Sequence, residues 1–281
     1  MIRPLLMTLI AVLAFSCQSS VQSTDFTPPG SFTNGVEGPA TDQQGNIYAV
    51  NFKKQGTIGK ITPDGESSIF LSLPEGSIGN GIRFGDSSQM FIADYTQHII
   101  WEVDITNMDM AIFAHDSTAN QPNDLAISPN RVLYASDPNW ADSTGKLWKI
   151  SLANGFELLE EQMGTTNGIE VSPNGQKLYV NESIQRNIWM YDIADDGSVS
   201  NKQLFHAFED FGLDGMRCDK DGNIYVCRYG KGVVAVLSPQ GELIKELKLI
   251  GEKPTNITFS PDYSMAYITM QDRGCLERVK L

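Results

Sequence analysis

One short segment built around an aromatic residue recurs along this 281-residue chain. It reads Ile47-Tyr48-Ala49-Val50, Phe91-Ile92-Ala93, Leu133-Tyr134-Ala135, Leu178-Tyr179-Val180, Ile224-Tyr225-Val226 and Ala266-Tyr267-Ile268. The aromatic positions are separated by 43, 43, 45, 46 and 42 residues. Self-similarity at a fixed interval constrains a fold more than composition does, because each copy must be one supersecondary unit that buries its apolar face on the next. Turn signals such as Pro173-Asn174-Gly175 and Lys220-Asp221-Gly222 precede most copies. Short apolar or alternating runs follow them, at 57–61, 99–103, 146–150, 187–191 and 233–237, and again at 68–73, 110–114, 156–160, 203–207 and 243–249. These are strand and hairpin patterns, and no segment carries a helical period. Four strands per unit is the size of a propeller blade. The sequence therefore predicts an all-β, six-bladed β-propeller of four antiparallel strands per blade. The last unit runs out after its third strand, so the segment from Asp25 to Phe32 is expected to supply the fourth and close the ring.

Three regions follow. Residues 1–17 combine Arg3, an apolar run from Leu5 to Phe15, and Ser16-Cys17. This is an export signal of the lipoprotein type, with Cys17 as the candidate lipidation site. Residues 18–35 form the N-terminal segment with the closing strand, and 36–281 the propeller. No other stretch nears the roughly 20 apolar residues of a membrane span. The expected location is the bacterial periplasm or outer membrane, with membrane contact only through the lipid. Cys218, Cys227 and Cys275 are odd in number and lack metal-type spacing. The turn between Cys218 and Cys227 sets Cys218 opposite Ile224, so they read as buried apolar residues rather than a disulfide framework. A formal charge of −13 disfavours nucleic acid as a partner and suits a cation. The sequence is silent on oligomeric state.

The start of the first strand of each unit carries Glu37, Asn80, Asn123, Asn167, Asp214 or Asn256, at intervals of 43, 43, 44, 47 and 42 residues. First strands line the axis of a propeller, so these six side chains are expected to form a ring at one end of the channel. Buried oxygens need hydrogen bonds or a cation. A ring of oxygen donors with two carboxylates suits a hard ion, and the lack of His or Cys in it argues against soft-ion chemistry. The ring predicts one divalent cation, calcium first, with magnesium, manganese or zinc as alternatives. Asparagine and aspartate before glycine also serve turns, but that does not explain one slot filled alike in six blades. The second strand runs back toward the same end, so Asn51, Asp94, Asp137, Asn181, Glu182, Arg228 and Tyr229 are expected near the ring, with Asp137 and Arg228 as substrate contacts. His98, His115 and His206 fall in outer strands or turns. No Gly-x-Ser-x-Gly elbow, phosphate loop or His-Glu-x-x-His helix is present.

The segments Glu37-Gly38-Pro39, Pro122-Asn123-Asp124, Thr166-Asn167-Gly168 and Leu213-Asp214-Gly215-Met216, in this order and spacing, make the chain resemble the SMP-30/gluconolactonase family of six-bladed propellers. The resemblance runs from about Glu37 to Leu281. It implies hydrolysis of sugar lactones with a divalent cation on the residues matching Glu37, Asn167 and Asp214. It also implies that Asn123 contacts the substrate or a metal-linked water, and that Asp214 acts as general base, so Glu37 and Asp214 are the expected catalytic pair. Asn80, Asn123 and Asn256 are the expected positioners of water or of the developing oxyanion. Two alternatives stay open: a non-catalytic propeller that binds a ligand or partner around a structural ion, and an esterase or phosphotriesterase of the same architecture.

Overall fold

The computed structural model describes residues 22–281, and the export signal and Cys17 lie outside the described residues. Within them every regular element is a β-strand, and the strands form six four-stranded antiparallel sheets. Blades 1 to 5 span 40–72, 79–115, 125–163, 166–207 and 216–248, each running in sequence order from its innermost to its outermost strand. Blade 6 takes Pro254–Phe259, Met265–Met270 and Cys275–Lys280 from the end of the chain and its outermost strand, Thr24–Asp25, from the beginning. That strand pairs Thr24 with Arg278 and Asp25 with Glu277. Phe32, grouped with it by the sequence reading, instead bridges to Phe52 of blade 1.

Apolar burial explains why the repeat has its period. The recurring aromatics Tyr48, Phe91, Tyr134, Tyr179, Tyr225 and Tyr267 are all buried. They belong to six core clusters, each shared by two adjacent blades around the ring, including blades 6 and 1. Three of the aromatics meet an aromatic on the outermost strand of their own blade: Tyr48 with Phe70, Phe91 with Phe113 and Tyr179 with Phe205, at ring-centroid distances of 4.9, 4.9 and 5.0 Å. In blade 6 that partner is Phe26, 4.6 Å from Tyr267 and immediately after the N-terminal strand. Cys218 faces Ile224 across its hairpin, and the three described cysteines are free thiols.

The ends of the second strands show a second use of the period. The Asp94 carboxylate accepts the Ile78 and Thr96 N–H groups at 3.2 and 3.1 Å and the Trp101 indole N–H at 3.0 Å. Asp137 does the same for the Asn120 N–H and the Trp148 indole, both at 2.8 Å, and Glu182 for the Gly164 N–H at 2.8 Å and the Asn187 amide at 3.2 Å. Each carboxylate staples the loop entering its blade to the third strand. Replacing Phe26 by alanine removes the aromatic partner that the N-terminal segment gives blade 6, and is expected to lower unfolding free energy by about 3 kcal/mol, read from urea denaturation.

Candidate functional site

All six innermost strands begin at one end of the channel, and the side chains there meet in a single cavity of about 550 Å³. Glu37, Asn80, Asn123, Asn167 and Asp214 line it. The packing beneath them explains the glycine that follows four of the six ring residues. A Cβ on Gly38 would stand 1.9 Å from the Asn80 carbonyl oxygen, one on Gly168 2.5 Å from that of Asp214, and one on Gly215 2.0 Å from the Asn256 amide carbon. Each missing side chain admits the ring residue of the next blade. The backbone bonds the blades at the same points, with Gly81 N–H donating to Asn123 O at 2.8 Å.

The donor set fits a hard divalent cation. Glu37 and Asp214 sit side by side. Burial, and then the Asp124 charge, pushes the Glu37 carboxyl up from 4.5 to about 7. Burial, and then the Glu37 charge, raises the Asp214 carboxyl well above its ordinary value. Two like charges this close ionise together only when a cation offsets them, so without one the pair shares a proton. Beside them the Asn123 and Asn167 Oδ1 atoms are buried without any hydrogen-bond partner. The Asn167 amide nitrogen is anchored on Ser183 Oγ at 3.0 Å, which fixes its orientation. Two carboxylates and two orphaned amide oxygens are ligands for an oxygen-seeking ion. Among the described residues no group of three or more His, Cys, Asp or Glu is placed to hold a metal ion, so an ion at this site would draw on the amide oxygens as well as the two carboxylates.

Asn256, expected to position water or the developing oxyanion, lies one level lower and does not line the cavity. Its Nδ2 donates to Glu37 Oε2 at 3.0 Å and to Asp124 Oδ2 at 3.3 Å, and its Oδ1 accepts from Ile257 N–H. It therefore joins the ring to a buried ionic cluster that fills the channel. Arg83 and Arg217 each reach Asp124 at 3.2 Å, and approach Glu170 at 3.9 and 3.7 Å. Burial alone would raise the Asp124 carboxyl, but the two guanidiniums outweigh it and hold Asp124 below its ordinary value. The sequence reading passed over this cluster, although it left a signal. Arg83, Glu170 and Arg217 each stand three residues after a ring position, as one charge between two apolar neighbours in an axial strand.

Asp137 and Arg228 do not line the cavity. Asp137 is one of the loop staples. Arg228 is buried, with its guanidinium 3.7 Å over the Phe208 ring and donating to Asp210 Oδ1 at 2.7 Å. Asn51 likewise binds the Gly35 carbonyl and the Gly56 N–H. The polar groups that do reach the cavity from outside the ring are Asn34, Ser183, Arg186, Thr255 and Gln271, with Tyr229 as foreseen. Thr255 lies in the axial strand of blade 6 directly before Asn256, whereas the others sit in loops and turns whose composition follows no period, so nothing in the repeat marked them.

Two carboxylates and two free amide oxygens at the floor of an open axial cavity place this six-bladed propeller among the hydrolases of this architecture. Residues 35–272 match the SMP-30/Gluconolactonase/LRE-like region, and the chain belongs to that family. It is 28% identical over 243 residues to a gluconolactonase of Zymomonas mobilis, covering 74% of this chain and 68% of that one. It is 25% identical over 286 residues to diisopropyl-fluorophosphatase of Loligo vulgaris, covering 86% and 87%. The fold superposes on a calcium-binding protein, regucalcin, of Agrobacterium tumefaciens with a TM-score of 0.79 at 19% identity, over 92% of this chain and 94% of that one.

Two outcomes follow from the charges. Because the folded Glu37 holds its proton to a higher pH than the unfolded chain does, the ion-free protein binds more protons when folded between about pH 4.5 and 7. Its stability is then greatest below that window and falls as pH rises through it. Melting temperature of the chelator-treated protein is expected to drop from pH 5 to pH 7.5, and saturating calcium to remove most of the drop. Asp124→Asn leaves two buried guanidiniums undercompensated and is expected to cost about 3 kcal/mol in denaturant unfolding.

Proposed function

We propose that this protein is a lactonase that works with one divalent cation, calcium first, held by Glu37, Asn123, Asn167 and Asp214. The observation that carries the reading is the pair of buried carboxylates, Glu37 and Asp214, next to two amide oxygens without partners, at the floor of an open cavity in a chain of the gluconolactonase family. The resemblance to a protein described as calcium-binding supports the choice of ion. A cation bound here supplies a Lewis acid for the lactone carbonyl.

The chain's own residues do the rest. Asp214 is the proposed general base: it takes a proton from the attacking water as the oxygen adds to the carbonyl carbon, and returns it to the ring oxygen as the acyl C–O bond breaks. The product is the open hydroxy acid. Burial and the neighbouring Glu37 charge raise the proton affinity of Asp214, and this acts against the weakening that a bound cation would cause. Asn80, whose Nδ2 donates to the Asn123 carbonyl at 3.2 Å, holds Asn123 in register. Asn256 aims Glu37 from below. The relative named for a fluorophosphate shows which second substrate class to include in any panel.

Chelator treatment is expected to abolish hydrolysis of aldonolactones above the spontaneous rate, and calcium, magnesium or manganese to restore it. Asp214→Asn is expected to lower kcat about 100-fold or more, and Glu37→Gln to weaken calcium binding measured by calorimetry. Unchanged affinity and rate in both variants would remove the assignment. We also infer export and anchoring at a bacterial membrane through lipid on Cys17. Cys17→Ser is expected to move the protein to the soluble fraction on cell fractionation.

A further inference from the structure

We propose that the natural ligand of this cavity carries an apolar, ring-sized substituent beside its reacting group, and that Trp140, Ile184 and Phe211 receive it. The identity of the reacting group rests on the lactonase reading; the apolar subsite rests on the cavity wall alone.

The wall of the cavity is two-sided. Toward blades 6 and 1 it is polar, with Asn34, Thr255 and Gln271. Toward blades 3 to 5 it gathers the large apolar side chains, Trp140, Ile184 and Phe211 above Leu213, with Ser183, Arg186 and Tyr229 among them. These three side chains are 44%, 50% and 47% exposed although they line a concave site. Trp140 and Ile184 occupy the same turn in consecutive blades, between the second and third strands, after Asn139 and Glu182. That turn carries Lys53 and Lys54 in blade 1, Thr96 and Gln97 in blade 2, and Asp272 and Arg273 in blade 6. The same turns of blades 1 and 2 also hold Phe52 and Tyr95, but neither lines the cavity, whereas those of blades 3, 4 and 5 bring Trp140, Ile184 and Tyr229 to it. Ligand sites combine such walls with a few polar groups that fix orientation, and a ligand bearing only hydroxyl groups would leave this wall without a complement.

Phe211 is fixed there. Its φ is +46°, in the left-handed region that a bulky side chain disfavours, so its neighbours must impose the conformation. The Arg228 guanidinium, 1% exposed, donates to the Asp210 carbonyl and carboxylate and stacks on Phe208. Phe208 N–H donates to Arg186 O at 3.0 Å and Gly212 N–H to Tyr229 O at 3.1 Å, which ties both ends of the loop to blades 4 and 5. Arg228 therefore acts as a positioning residue: it sets the backbone that presents Phe211.

Two measurements on the calcium-loaded protein test the subsite. The first compares kcat/KM for a phenyl-substituted δ-valerolactone with that for glucono-δ-lactone. The second measures, by calorimetry, binding of the corresponding phenyl-substituted δ-valerolactam, which has the same shape and is not opened. The wild type is expected to favour the phenyl lactone at least tenfold. In Trp140→Ser and Phe211→Ser the ratio of the two kcat/KM values is expected to fall about tenfold through KM, and lactam affinity to fall equally, about 1.4 kcal/mol. Trp140 and Phe211 are surface positions, and melting temperatures verify that the variants fold. A wild-type preference for gluconolactone, or lactam binding indifferent to both substitutions, overturns the proposal. If neither lactone is opened but the lactam still binds through Trp140, the lactonase reading fails and the apolar subsite stands. If the lactam does not bind the wild type, the subsite fails.

Discussion

Charge buried on the propeller axis is the constraint to which the rest of this structure answers. Four carboxylates, Glu37, Asp124, Glu170 and Asp214, share the channel with two guanidiniums, Arg83 and Arg217. The lower half balances, because Asp124 and Glu170 meet both arginines. The upper half does not, because Glu37 and Asp214 face each other and two amide oxygens with no cationic side chain between them. A channel that neutralised itself throughout would have no reason to hold an ion, and one that neutralised nothing would repel its own walls. Here the imbalance is confined to the mouth, where an ion from solvent can answer it.

The two halves are linked by Asn256, whose single amide nitrogen reaches both Glu37 and Asp124. Asp124 stays ionised because Arg83 and Arg217 hold it, and its charge in turn raises the Glu37 carboxyl. The buried ion cluster thus does more than fill the channel. Through Asp124 it adds to the proton affinity that burial already gives Glu37, and this link requires Glu37, Asn256 and Asp124 to keep their spacing along the axial strands.

The fold and the ring were legible in the sequence because both repeat. An aromatic every 42 to 46 residues and an oxygen-bearing residue every 42 to 47 are physical consequences of six blades meeting at one axis. The same regularity misleads at the second-strand ends. Asp94, Asp137 and Glu182 recur in three consecutive blades at intervals of 43 and 45 residues, yet they hold loops, and their carboxylates are consumed by backbone and indole N–H groups. Periodicity reports equivalent position, and whether an equivalent group is free or spent depends on partners that arrive from other blades. Arg228 is the sharpest case: a cation at the right end of the right strand, buried under Phe208 and bound to Asp210. The wall residues Trp140, Ile184 and Phe211 come from turns and a loop that obey no repeat, so only the assembled ring brings them together.

The pairing of Thr24 with Arg278 joins positions 254 residues apart in the chain. Every blade shares its core with a neighbour, and the sixth also borrows a strand from the beginning of the chain, so its sheet cannot be completed until nearly the whole polypeptide is available. Long-range pairing of this kind is slow because the entropy of a large loop is lost before contacts repay it. A chain built this way stays unfinished through most of its synthesis, and that delay is the condition under which a polypeptide can still be threaded through a narrow pore.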